Sequence, residues 1–338
     1  MTTTHPPTMK AWLYSSTTGG LETNLTMTSS ARTPGPLQQN QLLIQVISAS
    51  LNPADYKLPE LMGIAAKAII GLPASPGMDF CGRVVTTGSG VTEYTPGAVV
   101  YGSLAGAVQF GSLGEYIVAN VDKVAALPEG VEVDHAATVG VTGQTAYQSL
   151  AGYVVPGDKV FINGGSGGCG IYGIQIAKAM GCYVTTTCSG RNVALCKELG
   201  ADEVIDYTAQ DVVGVLKGGG RVYSHVVDNV GVPENLYREC DSFLMPGKVF
   251  VQIGVVSLGT AVERFVRPGF LGGGKRKYDY VVCKNEREHL VKIGEWIREG
   301  KIKVVVDSAW AFEDAVKGYE KVRSGRARGK VVVHVTEA

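Results

Sequence analysis

The feature that most constrains the fold is a glycine-rich turn at residues 164–170, which follows an apolar strand pattern and precedes an apolar helix pattern. Read from Gly165, the turn has the form G-x-G-x-x-G. In that form the first glycine permits a tight turn, the second lets a pyrophosphate approach the backbone, and the third lets the helix pack closely on the strand. The helix pattern stops at Gly181, and a second strand pattern at 183–187 completes a βαβ unit. The turn therefore predicts a dinucleotide site whose contacts are Gly165, Ser166, Gly167, Gly168, Cys169 and Gly170.

The motif alone is a weak signal, because the chain contains 45 glycines and a plain glycine-rich loop is the alternative. Its setting supports the dinucleotide interpretation. Predicted strands alternate with helices at 159–163, 183–187, 203–206, 223–227, 248–253 and 278–283. This alternation predicts an α/β fold with a doubly wound parallel sheet, the Rossmann arrangement.

The chain before this region is rich in strand patterns, with predicted strands at 42–47, 83–86, 99–101 and 116–118. Asp134 is predicted to cap a helix that begins at His135. After the alternating region we expect a helix near 286–299, a strand near 302–306, a helix near 312–323 and a closing strand at 330–335. The length of 338 residues favours two domains.

Composition excludes several classes of function. The 31 basic and 31 acidic side chains balance, so no nucleic acid or acidic surface is indicated as a partner. The first residues lack the pattern of a secretory signal, and no apolar stretch is long enough to span a membrane, so a cytoplasmic protein is expected. The seven cysteines show no C-x-x-C pair and are expected to be reduced thiols, with Cys169 a small packing residue.

Several segments carry a resemblance to a known family. They are 51–57 (LNPADYK), 76–82 (PGMDFCG), 141–146 (VTGQTA), the glycine turn, 188–192 (CSGRN), 199–202 (LGAD), 205–207 (IDY) and 326–330 (RARGK). In this order they resemble the zinc-independent branch of the medium-chain dehydrogenase/reductases, the group similar to quinone oxidoreductases and enoyl reductases. The resemblance implies a GroES-like, β-rich catalytic domain and a Rossmann domain. It places the first part of the catalytic domain at 1–130, the Rossmann domain at 131–285 and the return to the catalytic domain at 286–338.

The resemblance also implies a set of residues for the chemistry. Thr142 is expected to contact the nicotinamide ribose or amide, and Asn52 to bond the ribose or the substrate oxygen. Tyr56 is a candidate donor to a developing enolate, since a phenol titrates near pH 10. Each has an alternative: Asn52 with Pro53 is a turn signal, and Tyr56 as an aromatic wall of the pocket is nearly as well supported.

No metal site is predicted. The segments that supply catalytic zinc ligands in zinc-dependent relatives here contain Asn52, Asp55, Asp79 and Thr142 but no Cys or His. Without a Lewis acid to lower an alcohol's pKa, alcohol oxidation is not expected. Hydride transfer from a reduced nicotinamide to an electron-poor conjugated carbon or a quinone needs only hydrogen-bond donors at the oxygen.

The cofactor is predicted to be NADPH. An NAD site usually has an acid about 20 residues past the glycine turn, on the ribose 2′-hydroxyl. Here that strand ends with Ser189 and Arg191, which can bind a 2′-phosphate, and the resemblance adds Tyr207. The alternative has Ser189 as a helix cap and Arg191 as a solvated side chain. Asn229 and Gly254 follow later strands and complete the predicted cofactor contacts.

These patterns leave three functions open. The first is an NADPH-dependent reductase of conjugated double bonds or quinones, with a small-molecule substrate contacted by residues 256–277. The second is a dedicated enoyl reductase for a polyketide or fatty acyl chain bound to a carrier protein, with Lys275, Arg276 and Lys277 as a weak docking signal. The third is a non-catalytic NADPH-binding protein. A monomer and a homodimer are both compatible with the sequence, since the strand at 278–283 is predicted to form a sheet edge.

Overall fold

The computed structural model describes residues 5–104, 106–253 and 275–337. These residues divide into two compact units. The first unit contains the chain up to Gln144, Asn285–Gly300 and the chain from Val304 onward; the second contains Thr145–Lys284 and Lys301–Lys303. The boundary expected at residue 131 therefore shifts to Gln144, because the segment before it is tied to the first unit, where the Val141 N–H donates to Asp79.

The described residues form fifteen strands and eight α-helices. The strands are β1 (Thr8–Leu13), β2 (Thr26–Arg32), β3 (Gln41–Leu51), β4 (Asp79–Thr87), β5 (Val99–Ser103), β6 (Tyr116–Asn120), β7 (Val124–Ala126), β8 (Lys159–Asn163), β9 (Tyr183–Cys188), β10 (Glu203–Asp206), β11 (His225–Asp228), β12 (Val249–Gln252), β13 (Lys277–Tyr280), β14 (Val306–Ala311) and β15 (Lys330–His334). The helices are α1 (Pro53–Met62), α2 (Val133–Ala137), α3 (Gln144–Gln148), α4 (Gly168–Ala179), α5 (Val193–Glu198), α6 (Val212–Gly218), α7 (Arg287–Arg298) and α8 (Ala315–Arg323). Short 3₁₀ and π turns connect them, including a π turn at Val139–Gly143.

The first unit is built on a seven-stranded sheet whose order is β14-β15-β3-β4-β5-β7, with β6 paired to β3, and on the antiparallel ribbon of β1 and β2. The long strand β3 has nine buried positions because both of its faces are covered. The hydrophobic core of the first unit includes Tyr14, Phe80 and Tyr319, which are fully buried. Since β3 runs directly into α1, the sheet holds the helix start at Asn52 in place.

The second unit contains a six-stranded parallel sheet with the order β10-β9-β8-β11-β12-β13. Counted from β8, this is the order 3-2-1-4-5-6 of a doubly wound dinucleotide-binding sheet. The order reverses between β8 and β11, so ligands are expected at the carboxyl ends of these two strands. The predicted Rossmann arrangement is confirmed, and among the described residues β13 forms one edge of the sheet.

Two local predictions are wrong. Helix α2 begins at Val133, so Asp134 lies in its first turn rather than at the cap, and its carboxylate accepts from His334 Nε2 at 2.8 Å. The strand expected at 302–306 instead begins at Val306, because its partner strand begins at Lys330 and pairs with it there. Among the described residues, no helix has the length and apolar character needed to cross a membrane.

Candidate active site

The glycine turn joins β8 to α4 in the second unit, and several of its glycines occupy positions where a side chain would be strained or would clash. Gly164 has a φ of +85°, so the tight turn is made one residue before the motif. A Cβ on Gly165 would lie 2.2 Å from Thr186 Oγ1 on β9, and one on Gly170 would lie 2.1 Å from the Gly164 carbonyl oxygen. These two glycines therefore allow the turn, the helix and the neighbouring strand to pack closely, and the role expected of Gly165 belongs to Gly164.

Gly167 differs from the others because open space surrounds its missing side chain. The nearest atom to a Cβ built there is the Gly164 carbonyl oxygen, at 3.7 Å. Gly167 is the N-cap residue of α4, whose first turn presents backbone N–H groups that lack partners within the helix. Space and N–H donors at the start of a twelve-residue helix fit a pyrophosphate group.

A buried polar network, formed by residues outside the predicted site, supports this turn. The Asn163 side chain donates to Asp228 Oδ1 at 2.8 Å and accepts from Thr187 Oγ1 at 2.6 Å. Thr187 Oγ1 in turn accepts from the Gly164 N–H at 2.8 Å. These residues end or nearly end three neighbouring parallel strands, a position that the sequence pattern could have indicated.

The residues predicted to bind the 2′-phosphate follow the ends of β9 and β10. Ser189 precedes the 3₁₀ turn Gly190–Asn192, and the exposed Arg191 has no hydrogen-bond or ion-pair partner among the described residues. Asn192 Nδ2 donates to Ser166 Oγ at 3.0 Å, which connects this 3₁₀ turn to the glycine turn. Tyr207 is 57% exposed.

The remaining members of the predicted cofactor set are placed as follows. The side chain of Asn229 donates to the Asn163 carbonyl oxygen at 3.0 Å, directly after β11. Asn229 therefore lies at the strand end where the sheet order reverses. Cys169 forms no disulfide, and its half-buried thiol lies in the first turn of α4. Gly254 and residues 256–274 of the expected substrate segment lie outside the described residues.

In the first unit, Asn52 caps α1, and its side-chain amide is held at both ends. Nδ2 donates to Asp79 Oδ2 at 2.9 Å and to the Ser50 carbonyl oxygen at 3.1 Å, and Oδ1 accepts from Lys330 Nζ at 2.5 Å. Thr142 lies in the π turn Val139–Gly143 and donates through Oγ1 to the Thr138 carbonyl oxygen at 3.0 Å. The structure connects the two candidates through Asp79, which also accepts from the Val141 N–H at 2.8 Å.

Tyr56 lies on the first turns of α1 and is 5% exposed. The Arg323 guanidinium stacks on its ring, with Cζ 3.9 Å from the ring centroid. Burial raises the pKa of the phenol above its usual value, and Arg323 opposes that shift, so the hydroxyl keeps its proton at neutral pH. The hydroxyl has no hydrogen-bond partner among the described residues.

Two buried carboxyl groups accompany this cluster. Burial raises the pKa of Asp55 to about 8 and that of Asp79 to about 6. The pKa of Asp79 is raised less, because the Lys330 ammonium lies near its carboxylate and because that carboxylate accepts several hydrogen bonds. By contrast, Asp55 Oδ1 has no hydrogen-bond partner among the described residues.

Two family models match the chain: the alcohol dehydrogenase GroES-like domain at residues 38–129 and the zinc-binding dehydrogenase domain at residues 199–333. The trans-enoyl reductase pgmF of Aspergillus terreus is 44% identical over 100% of this chain and 99% of its own length. The chain belongs to the medium-chain dehydrogenase/reductase superfamily. The 2-methylene-furan-3-one reductase of Solanum lycopersicum is 34% identical over 97% of this chain and 80% of its own length. The quinone oxidoreductase of Coxiella burnetii, a solved structure, has a TM-score of 0.84 at 30% identity and covers 97% of this chain and 100% of its own.

This medium-chain dehydrogenase/reductase is therefore an oxidoreductase that uses a nicotinamide cofactor. The alternative of a non-catalytic NADPH-binding protein is thereby wrong. The described residues of the second unit fit such a cofactor, because Gly167 leaves space beside a helix start that offers N–H donors. The residues at the corresponding zinc-ligand segments do not fit a catalytic zinc. They offer an amide and two buried carboxyl groups, with the Lys330 ammonium already bound between Asn52 and Asp79. No group of three or more His, Cys, Asp or Glu side chains within the described residues is arranged to hold a metal.

Proposed function

We propose that this protein reduces a conjugated carbon–carbon double bond next to a carbonyl group, or a quinone, with NADPH and without zinc. The observation that carries the proposal is the position of Lys330. Its ammonium donates to Asn52 Oδ1 at 2.5 Å and lies 3.9 Å from Asp79 Oδ2, among the residues that would otherwise ligate a metal. A lysine ammonium cannot polarise an alcohol as a Lewis acid does, and this favours an acceptor that is already electron-poor.

The bound nicotinamide would supply the hydride, and the residues of the chain would bind and stabilise what the hydride leaves behind. Hydride addition to a conjugated carbon places negative charge on the distant oxygen. A donor directed at that oxygen stabilises the transition state more than the ground state. Tyr56 is the proposed donor, because its phenol keeps its proton at neutral pH and its hydroxyl has no partner among the described residues.

The preference for NADPH rests on Arg191 and Ser189. Arg191 is exposed in the 3₁₀ turn that follows β9, and no carboxylate in the described part of the chain pairs with it. Arginine binds a phosphate through several donors at once, which favours a 2′-phosphate over a 2′-hydroxyl. The carboxylate of Asp206 is close to Gly190, but it accepts from the Thr208 N–H at 2.9 Å and from the Thr208 hydroxyl, so these hydrogen bonds compensate part of its charge.

The test is consumption of NADPH or NADH with a panel of enones, alkenals, quinones, acyl thioesters and simple ketones. We expect activity on the conjugated acceptors and quinones, none on simple ketones, and at least a tenfold higher kcat/KM with NADPH. Activity should persist in a chelator, and elemental analysis should find no stoichiometric zinc. About one zinc per chain, with activity lost on its removal, would contradict the metal-free mechanism.

A second candidate is an enoyl reductase dedicated to acyl chains on a carrier protein. The 44% identity to a protein named trans-enoyl reductase favours it. The basic cluster expected to dock a carrier is partly engaged within the chain. Arg276 donates to the carbonyl oxygens of Leu244 and Asp241, both at 3.1 Å, and Lys275 pairs with the Asp241 carboxylate at 3.4 Å. A kcat/KM much higher for a carrier-bound enoyl thioester than for the same thioester on a short synthetic thiol would select this candidate.

A further inference from the structure

A buried pair of opposite charges lies beneath the start of α1. Lys330 is 2% exposed and Asp79 is 0% exposed. They come from strands β15 and β4, which are separated in the sheet by β3. Removing two charges from water costs free energy, so a buried ion pair is weak evidence for a role in stability. The groups that this pair orients indicate another role.

Lys330 determines which way the Asn52 amide faces. Its ammonium donates to Asn52 Oδ1 at 2.5 Å and to the Leu51 carbonyl oxygen at 3.3 Å. A lysine ammonium has three donors and no acceptor, so the amide atom beside it must be oxygen. The amide nitrogen is thereby directed to Asp79 Oδ2, 2.9 Å away.

Asp79 connects this amide to the turn that carries Thr142. While Oδ2 accepts from Asn52, Oδ1 accepts from the Val141 N–H at 2.8 Å. The contact is so close that a Cβ on Gly140 would lie 2.2 Å from Asp79 Oδ1. One carboxylate therefore sets the position of both Asn52 and the residue preceding Thr142.

We propose that Lys330 and Asp79 are positioning residues for hydride transfer: together they hold the Asn52 amide in one orientation and the Val139–Gly143 turn at one distance from it. The inference rests on the proposed function, because it takes Asn52 and Thr142 as the contacts to the nicotinamide end of the cofactor. Neither charged group itself needs to touch the cofactor or the substrate.

The experiment uses the double variant Lys330→Met/Asp79→Asn, which removes both charges and leaves no ion unpaired. The carboxamide at position 79 can accept from the Val141 N–H with its oxygen, but its nitrogen then faces Asn52 and favours the reversed Asn52 amide. We expect the variant to fold and its kcat to fall about 10- to 100-fold, the scale expected when a reacting group is misplaced by about 1 Å. The kinetic isotope effect with NADPH deuterated at the transferred position should rise, since hydride transfer then limits the rate.

The matched control is Lys178→Met/Asp202→Asn in the second unit. That pair is also a lysine and an aspartate, 2.8 Å apart, and Asp202 Oδ2 also accepts a backbone N–H, that of Val184, at 2.7 Å. This control variant should leave kcat and the isotope effect unchanged.

If the Lys330→Met/Asp79→Asn variant does not fold, Lys330→Gln is used, because it keeps an N–H donor for Asn52 Oδ1. Its kcat should stay within about threefold of wild type while that of Lys330→Met falls.

The outcomes separate the inference from the proposed function. Wild-type kcat and isotope effect in the double variant, with a slowed Asn52→Ala enzyme, would overturn the positioning role alone. Equal losses in Lys330→Gln and Lys330→Met would also overturn it. Wild-type kinetics in Asn52→Ala and Thr142→Ala would instead overturn the assignment of these residues to the cofactor, and the positioning role with it.

Discussion

The substitution Gly167→Ala tests directly whether the glycine turn binds a pyrophosphate. Gly167 has φ −85° and ψ 176°, an extended conformation that alanine adopts without strain. A methyl group there would meet only the Gly164 carbonyl oxygen, at 3.7 Å, which is ordinary contact distance. The folded chain can therefore accept this methyl group. The methyl group would instead displace a phosphate bound beside residue 167.

The expected effect on stability is small and the effect on binding is large. Alanine restricts the unfolded chain more than glycine but is a poorer helix cap, so the free energy of unfolding should change by less than about 1 kcal/mol. Displaced phosphate oxygens would lose one charge-assisted hydrogen bond or more, each contributing about 1.5–3 kcal/mol. The Kd for NADPH should therefore rise about 10- to 100-fold.

Two glycines of helix α4, Gly170 and Gly173, provide contrasting variants. A methyl on Gly170 would lie 2.1 Å from the Gly164 carbonyl oxygen and 2.6 Å from the Gly165 backbone, so Gly170→Ala should destabilise the fold by about 1–3 kcal/mol. A methyl on Gly173 would meet Ile162 Cδ1 at 3.5 Å, so Gly173→Ala should leave binding unchanged and stabilise α4 by about 0.5–1 kcal/mol.

The assay is titration of each variant with NADPH, followed by cofactor fluorescence, together with urea unfolding in the absence of cofactor. NADPH binding at wild-type affinity by Gly167→Ala would refute the placement of the pyrophosphate beside Gly167. Unchanged stability in Gly170→Ala would refute the packing argument. A loss of stability in Gly167→Ala that equals its loss of binding would show that the methyl group disturbs the turn itself.

Three further predictions concern other parts of the chain. Tyr56→Phe should lower kcat about 10²–10³-fold and leave the NADPH Kd unchanged, because the phenol donates to the substrate oxygen; a wild-type kcat on every accepted substrate would make Tyr56 a pocket wall. Arg191→Ala should weaken NADPH about 10- to 100-fold and NADH little, and equal losses for both cofactors would show that Arg191 does not bind the 2′-phosphate. Burial lowers the pKa of His225 to about 4, and its Nε2 donates to the Ser149 carbonyl oxygen at 2.7 Å. Since the unfolded histidine binds protons more readily, stability should be lost as the pH falls from about 6.5 to about 4. Between pH 7 and pH 5, urea unfolding should therefore show wild type losing about 2 kcal/mol more than His225→Gln, and equal losses would contradict a buried neutral histidine.

The second unit could be predicted closely from the sequence because its signals are local. The six strands of its sheet were located by apolar runs bounded by turns, and β8 and β10 have the predicted bounds. The strand ending at Asn163, the glycines after it and the helix stop at Gly181, with φ +80°, are each set by neighbouring residues. Where a boundary depended on a distant partner the prediction failed, as at Val306, whose strand begins where Lys330 becomes available to pair.

The sequence by itself determined the superfamily, the doubly wound sheet and the residue types of the candidate site, because hydrophobic period, glycine spacing and short motifs are properties of adjacent residues. Only the tertiary structure decided what those residues do to one another. Asn52, Asp79, Val141 and Lys330 are up to 278 residues apart, as in the Lys330–Asn52 hydrogen bond, and no periodic pattern links them. They meet because β15 and β4 flank β3, and the low polarity of that interior makes the pairing of an ammonium, an amide and a carboxylate obligatory.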